Sequence, residues 1–173
     1  MGSPSATNVW IVQGYLVDGA LRFPGGLTAP YDVKCVRGTA WGQSNNYINN
    51  GDGTVTDSMS DLRWQQHDDG VARSWEEALF YCENSLLAGF TDWRLPDIKE
   101  LESIVYIPSA DFSLPLNSAY FTHSTENTGL SFYWSSTTYA ASTGAALGVD
   151  FYNGSVDYGG FSKGFSKFAR CVR

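Results

Sequence analysis

Only two stretches of this 173-residue chain carry a helical period, and each opens on a capping box. The first starts at Ser74, with Glu77 three residues on. It places Trp75, Ala78, Leu79, Cys82 and Leu86 on one face before Gly89. The second follows Pro96, with Asp97 and Glu100 at capping spacing. Ile98, Leu101, Ile104 and Val105 form its apolar stripe, and Pro108 stops it. Both read as core-packing helices, so every other buried element has to be strand or loop.

The rest of the sequence fits that demand. Gly, Asn, Asp and Ser recur at short intervals between aromatic and β-branched clusters, the pattern of short strands joined by turns. Strands are expected over 9–17, 31–37, 54–57, 62–66, 132–136, 146–151, 155–158 and 167–173. Asn50-Gly51-Asp52-Gly53 and Asn153-Gly154 supply the positive-φ residues of two-residue hairpins. Residues 108–129 show neither period and read as a long excursion loop. The fold class is therefore α+β.

Met1-Gly2-Ser3-Pro4-Ser5 looks like a start codon and cloning scar, so residues 1–7 are set aside as scar and linker. The remainder has the length of about one domain. With 43% apolar residues and six Trp, ten Tyr and ten Phe, it can bury a sizeable core. Eleven Lys plus Arg stand against 18 Asp plus Glu, a formal charge of -7 with no basic run, which argues against a nucleic-acid partner. No apolar run approaches the ~18 to 20 residues of a membrane span, so no membrane insertion is expected. The three cysteines, Cys35, Cys82 and Cys171, form no C-x-x-C pair for a thiolate metal site. They fit one disulfide and a leftover, or three buried thiols.

A partial internal repeat adds to the organisation. Trp10-Ile11-Val12, Gly14-Tyr15-Leu16-Val17 and Tyr31 to Arg37 parallel Gly148 to Phe151, Asn153 to Val156 and Lys167 to Arg173, each copy ending in a basic residue followed by Cys-Val-Arg. Residues 8–40 are read as the closing strands of a preceding module copy and 41–173 as a full domain. The alternative is two amphipathic strands that share an ending by chance.

Five motifs in order carry a family resemblance. They are Asn50 to Asp57 with Leu62-Arg63-Trp64-Gln65; Trp75 to Leu79 with Cys82; Gly89 to Pro96, including Trp93-Arg94-Leu95-Pro96, with Lys99-Glu100-Leu101; Tyr133 to Thr137; and Arg170 to Arg173. From about residue 47 to the end, the sequence resembles the bacterial family named for the C-terminal domain of the Legionella collagen-like adhesin. The resemblance implies a C-type-lectin-like fold: two helices packed on a small, twisted, mostly antiparallel sheet with long loops. It also implies a disulfide between the first helix and the last strand, where Cys82 and Cys171 sit. Such a bond closes a loop of about 90 residues, worth ~4 kcal/mol on a loop-entropy model. Export to an oxidising compartment, as a secreted or cell-surface protein, follows from it. Cys35 then lacks a partner within this chain.

Catalysis finds little footing. Arg94 beside Glu100 and Glu102 reads as a pinned strand-to-helix corner, not an active-site ion pair. Trp64, Trp75, Trp93 and Trp134 suit core positions together with Leu95 and Pro96. His67 and His123 have no nucleophile arrangement near them, and Asp68-Asp69 reads as the cap of a solvated turn. No cofactor is expected. Asp52, Asp57 and Asp61 raise the question of calcium, but the loop lacks alternating oxygen ligands and a distal Glu, and Ser135-Ser136 follow Trp134 where calcium-dependent lectins carry Asn-Asp.

The expected contact surface lies after Trp134, at Tyr139, Tyr152, Asn153, Asp157, Tyr158, Phe161 and Lys163. Tyrosine offers amphipathic area at low entropy cost, and Asn, Ser and Gly adaptable hydrogen bonds. The competing reading is that these aromatics cover the core edge. Relatives of the named adhesin are associated with sulfated polysaccharides, from which an acidic domain departs. The leading expectation is thus a non-enzymatic adhesin module for glycans or glycan-bearing surfaces. A protein-binding receptor module, diversified at its C-terminal loops, and a homo-trimeric fibre-tip domain are the alternatives; an enzyme of the formylglycine-generating type comes last.

Overall fold

A computed structural model describes residues 15–17, 20–22, 47–105, 116, 119–122, 132–151 and 154–173, and places the side chains of all of these except 15–17, 20–22 and 157–159. The chain divides into two units, Met1–Ala40 and Trp41–Arg173. In the first, β1 (Tyr15–Val17) pairs antiparallel with β2 (Ala20–Arg22), Val17 opposite Ala20. The Asp18-Gly19 dipeptide between them is a hairpin signal that the sequence reading passed over. Residues 31–37, and with them Cys35, lie outside the described residues.

The second unit is α+β, with two helices and small antiparallel sheets. One sheet has the order β3 (Tyr47–Asn49), β4 (Thr54–Asp57), β5 (Arg63–Gln65). The other is β6 (Phe132–Thr138), β7 (Ala145–Asp150), β8 (Ser155–Ser162). Strand β3 was not anticipated: three residues are too short for an alternation to show. The turns are longer than expected. Four residues, 50–53, join β3 to β4, with Gly51 and Gly53 both at positive φ, and four join β7 to β8, closed by a 2.7 Å bond from the Gly154 amide to the Asp150 carbonyl. A paired register of Asn49 with Val55 and of Asp150 with Ser155 leaves no room for two-residue loops.

Helix α1 (Trp75–Glu83) has the full capping box, Ser74 Oγ accepting from the Glu77 amide and Glu77 accepting from the Ser74 amide. Ala78 and Cys82 are buried, while Trp75, Leu79 and Tyr81 are half-buried against the same cluster. Leu86 is a correction. The helix caps at Asn84 and a 3-10 turn, Leu87–Gly89, follows, so Leu86 leaves the apolar face and is 71% exposed. Helix α2 (Ile98–Ser103) is capped by Asp97 and Glu100 as expected but ends well before Pro108. The Val105 amide closes a last tight turn on the Glu102 carbonyl (3.1 Å), and Val105 then bridges to Leu116, while Leu101, Ile104 and Val105 stay buried. Leu116 and Phe121, within the excursion loop, are also core residues.

The C-terminal segment is not the single strand expected over 167–173. It changes partner every two or three residues and becomes the seam of the domain. Lys167 exchanges backbone bonds with Arg73, Phe168 bonds to Phe132 and Trp134, and Val172 exchanges bonds with Arg94. Arg173 does the same with Arg63. Cys171 accepts from the Gln65 amide and is joined to Cys82 by a disulfide, Cα to Cα 5.4 Å. Two core clusters meet along this seam, one around Val55, Trp64, Leu101, Val149 and Val172, the other around Ala78, Trp93, Leu95, Trp134 and Ala146.

Candidate functional site

The surface beside the end of β8 is assembled by Lys163. Its amide donates to the Gly144 carbonyl (2.9 Å), which fixes the β6–β7 turn, and its carbonyl accepts from the Trp75 amide (2.9 Å) at the start of α1. Its ammonium lies 3.7 Å from the centre of the Trp75 ring and donates to Thr138 Oγ1 (2.9 Å). Trp75 is held in turn by a 2.8 Å bond from Nε1 to the Ser135 carbonyl. Thus Trp75, read from sequence as a core residue, is half-buried and carries a cation on its face.

Tyr139 caps the other side. Its amide bonds to Ala145, and its side chain rests against Gly160, where a Cβ would come within 2.8 Å of the Tyr139 Cβ. Gly160 also has φ +68°, so an L side chain there is strained by the backbone and crowded by Tyr139. Phe161 is half-buried and meets Phe132 and Trp134 edge-on, with the Lys167 ammonium 4.2 Å from its ring. Asp157 and Tyr158 lie in β8, and their side chains are outside the described set. Tyr152 and Asn153 lie outside the described residues altogether.

Around Lys163 the exposed positions are Thr138, Ser142, Thr143, Gly144, Ser162, Gly164 and Ser166, with Phe165 at 57% exposure among them. Phe165 escaped the sequence reading. The Gly164 turn that lifts it, closed by the Phe165 amide on the Ser162 carbonyl (2.9 Å), was the signal available. An exposed ring in a field of small hydroxyl side chains can stack on an apolar face and hydrogen-bond around it. It offers no acid-base pair.

The acidic residues weighed for calcium are engaged locally. Asp52 accepts from Thr54 and Arg63, and the Thr54 hydroxyl bond holds its carboxyl below the usual range. Asp57 accepts from the Met59 amide and the Ser60 hydroxyl. Among the described residues no group of three His, Cys, Asp or Glu side chains is placed to hold a metal ion. Asp69 takes the guanidinium of Arg73. Asp68 and Asp69 cap the turn as expected, accepting from the Gly70 and Val71 amides, but the Asp68 side chain is buried, not solvated, facing Arg170 and accepting from the Tyr133 hydroxyl. At the Trp93–Pro96 corner, Arg94 makes a bidentate pair with Glu100 at 2.6 and 2.7 Å, a positioning contact that ties the corner to the α2 cap.

The motifs that build these contacts run from the β3–β4 turn to the last residue. A family model described as the Lcl C-terminal domain matches residues 53–173. The chain belongs to the Lcl C-terminal domain family. The match spans the disulfide, the Trp93–Pro96 corner, the Lys163 surface and the seam. No curated protein matches this Lcl C-terminal domain chain.

Proposed function

We propose that the domain is an extracellular, adhesin-like binding module of C-type-lectin-like fold, that it is not an enzyme, and that it recognises neutral glycans on a surface. Family membership supports the adhesin-like part, and the Cys82–Cys171 bond supports an oxidising compartment. The glycan part rests on one observation: the exposed Phe165 ring set among Ser162, Gly164 and Ser166 beside the Lys163–Trp75 stack. Sugar rings present a flat C–H face and a rim of hydroxyls, which match an aromatic plate rimmed by small hydroxyl side chains. A net charge of -7 favours neutral over sulfated ligands.

A glycan array probed with and without calcium tests the reading. Binding to at least one neutral sugar is expected, weakened tenfold or more by Phe165→Ser, as for the truncation of an interface anchor. Silence on all neutral sugars, or unchanged binding by the variant, counts against it.

A further inference from the structure

The outer face of α1 breaks two rules of helix design. Phe80 is 69% exposed in the middle of the helix, and Glu83 occupies the last turn, where the negative end of the helix dipole disfavours a carboxylate and no basic residue compensates. Glu76 stands one turn before Phe80, exposed like Glu83. Among the described residues neither carboxylate meets a cation; the nearby Arg73 is spent on Asp69 and on the face of Tyr81, 4.0 Å from its centre. Beside this face lies an open groove lined by Val71, Arg73, Glu76, Phe80, Tyr81 and Asn84, with Val71 itself 51% exposed.

The helix that carries these residues is held rigidly. The Ser74 capping box fixes one end, the Cys82–Cys171 bond the buried side, and Gln65 Nε2 donates to the Tyr81 hydroxyl at 2.8 Å. A preformed surface loses little entropy on binding. Local features that cost the free domain stability, without an internal gain, mark function. We infer that this face of α1 is a second binding site, separate from the Lys163 surface, for a protein segment that presents an apolar side chain between lysines or arginines. The apolar side chain packs on Phe80 and Val71, and the flanking cations reach Glu76 and Glu83. Charge complementarity commits the occupant: an acidic or neutral segment gains nothing from two uncompensated carboxylates.

The test is an NMR titration of the isotope-labelled full chain with the blocked tetrapeptide Lys-Leu-Phe-Lys and its counterpart Glu-Leu-Phe-Glu. The lysine peptide is expected to shift signals within residues 71–85, weakening with salt. Phe80→Ser should weaken it tenfold or more while leaving the spectrum elsewhere intact, since Phe80 is exposed. Reversing Glu76 and Glu83 to Lys should transfer binding to the glutamate peptide. The inference is overturned if the wild-type chain binds neither peptide or both alike, if shifts fall elsewhere, if Phe80→Ser binds normally, or if the same signals move on simple dilution, which would mark self-association. A failed glycan array leaves each of these outcomes unchanged.

Discussion

Arg170 and Asp68 form a buried ion pair at 3.4 Å, with side-chain exposures of 0% and 1%. The guanidinium also donates to the carbonyls of Gln65, Gln66 and Thr122 at 2.7 to 2.8 Å, while Asp68 accepts from Tyr133. One side chain from the seam thus satisfies β5, the segment after it and the Phe121–Thr122 segment together. Burial raises the Tyr133 hydroxyl pKa far above its ordinary value, against the Arg170 guanidinium, which lowers it.

Removing the cation should therefore cost far more than removing the pair. Arg170→Met leaves a buried carboxylate without its cation and takes a donor from three carbonyls, an expected loss of about 3–5 kcal/mol in urea unfolding. Adding Asp68→Asn should return part of it in a double-mutant cycle. Simple additivity of the two losses would contradict the pairing described.

The Cys82–Cys171 bond spans 89 residues and joins α1 to the seam. On the loop-entropy model its removal costs about 4–5 kcal/mol. Denaturation of the oxidised chain against the Cys82→Ala/Cys171→Ala variant should show this difference, and reductant should destabilise only the former.

Gly148 sits at the middle of β7, with the Tyr133 carbonyl oxygen 2.5 Å from where a Cβ would be placed. Backbone cannot swing aside as a long side chain can. Gly148→Ala should lower stability by about 1–3 kcal/mol and perturb amides in β6. By contrast, Gly51→Ala meets no neighbouring atom and suffers only its φ of +75°.

Acid should weaken the Trp93–Pro96 corner. Hydrogen bonds from Arg94, above all, hold the Glu100 carboxyl below its ordinary range, against the opposing effect of burial. In the unfolded chain Glu titrates near about 4.3. A depressed folded value contributes stability that is present above that pH and is lost as pH falls through the folded value. Arg94 is 46% exposed, so solvent screening keeps the effect small. Glu100→Gln should flatten the acid limb of the stability profile between about pH 5 and 3 and leave the neutral region less stable by the same small amount.

Local signals in the sequence set both capping boxes, most strands of the two three-stranded sheets and the ordered motifs of the family, because each is written within a few neighbouring residues. Ser74 with Glu77, and Asp97 with Glu100, need no other part of the chain to be recognised. Tertiary structure alone decided the rest. Asp68 is legible as a turn residue, but its burial against Arg170, 102 positions away, is not. The 167–173 segment reads as a strand until four successive partners divide it. Leu86 and Phe80 have core chemistry but end on the surface, Leu86 because the helix stops before it and Phe80 because it lies on the helix face opposite Ala78 and Cys82. Burial depends on which distant atoms fill the space around a side chain, and no period along the chain encodes that.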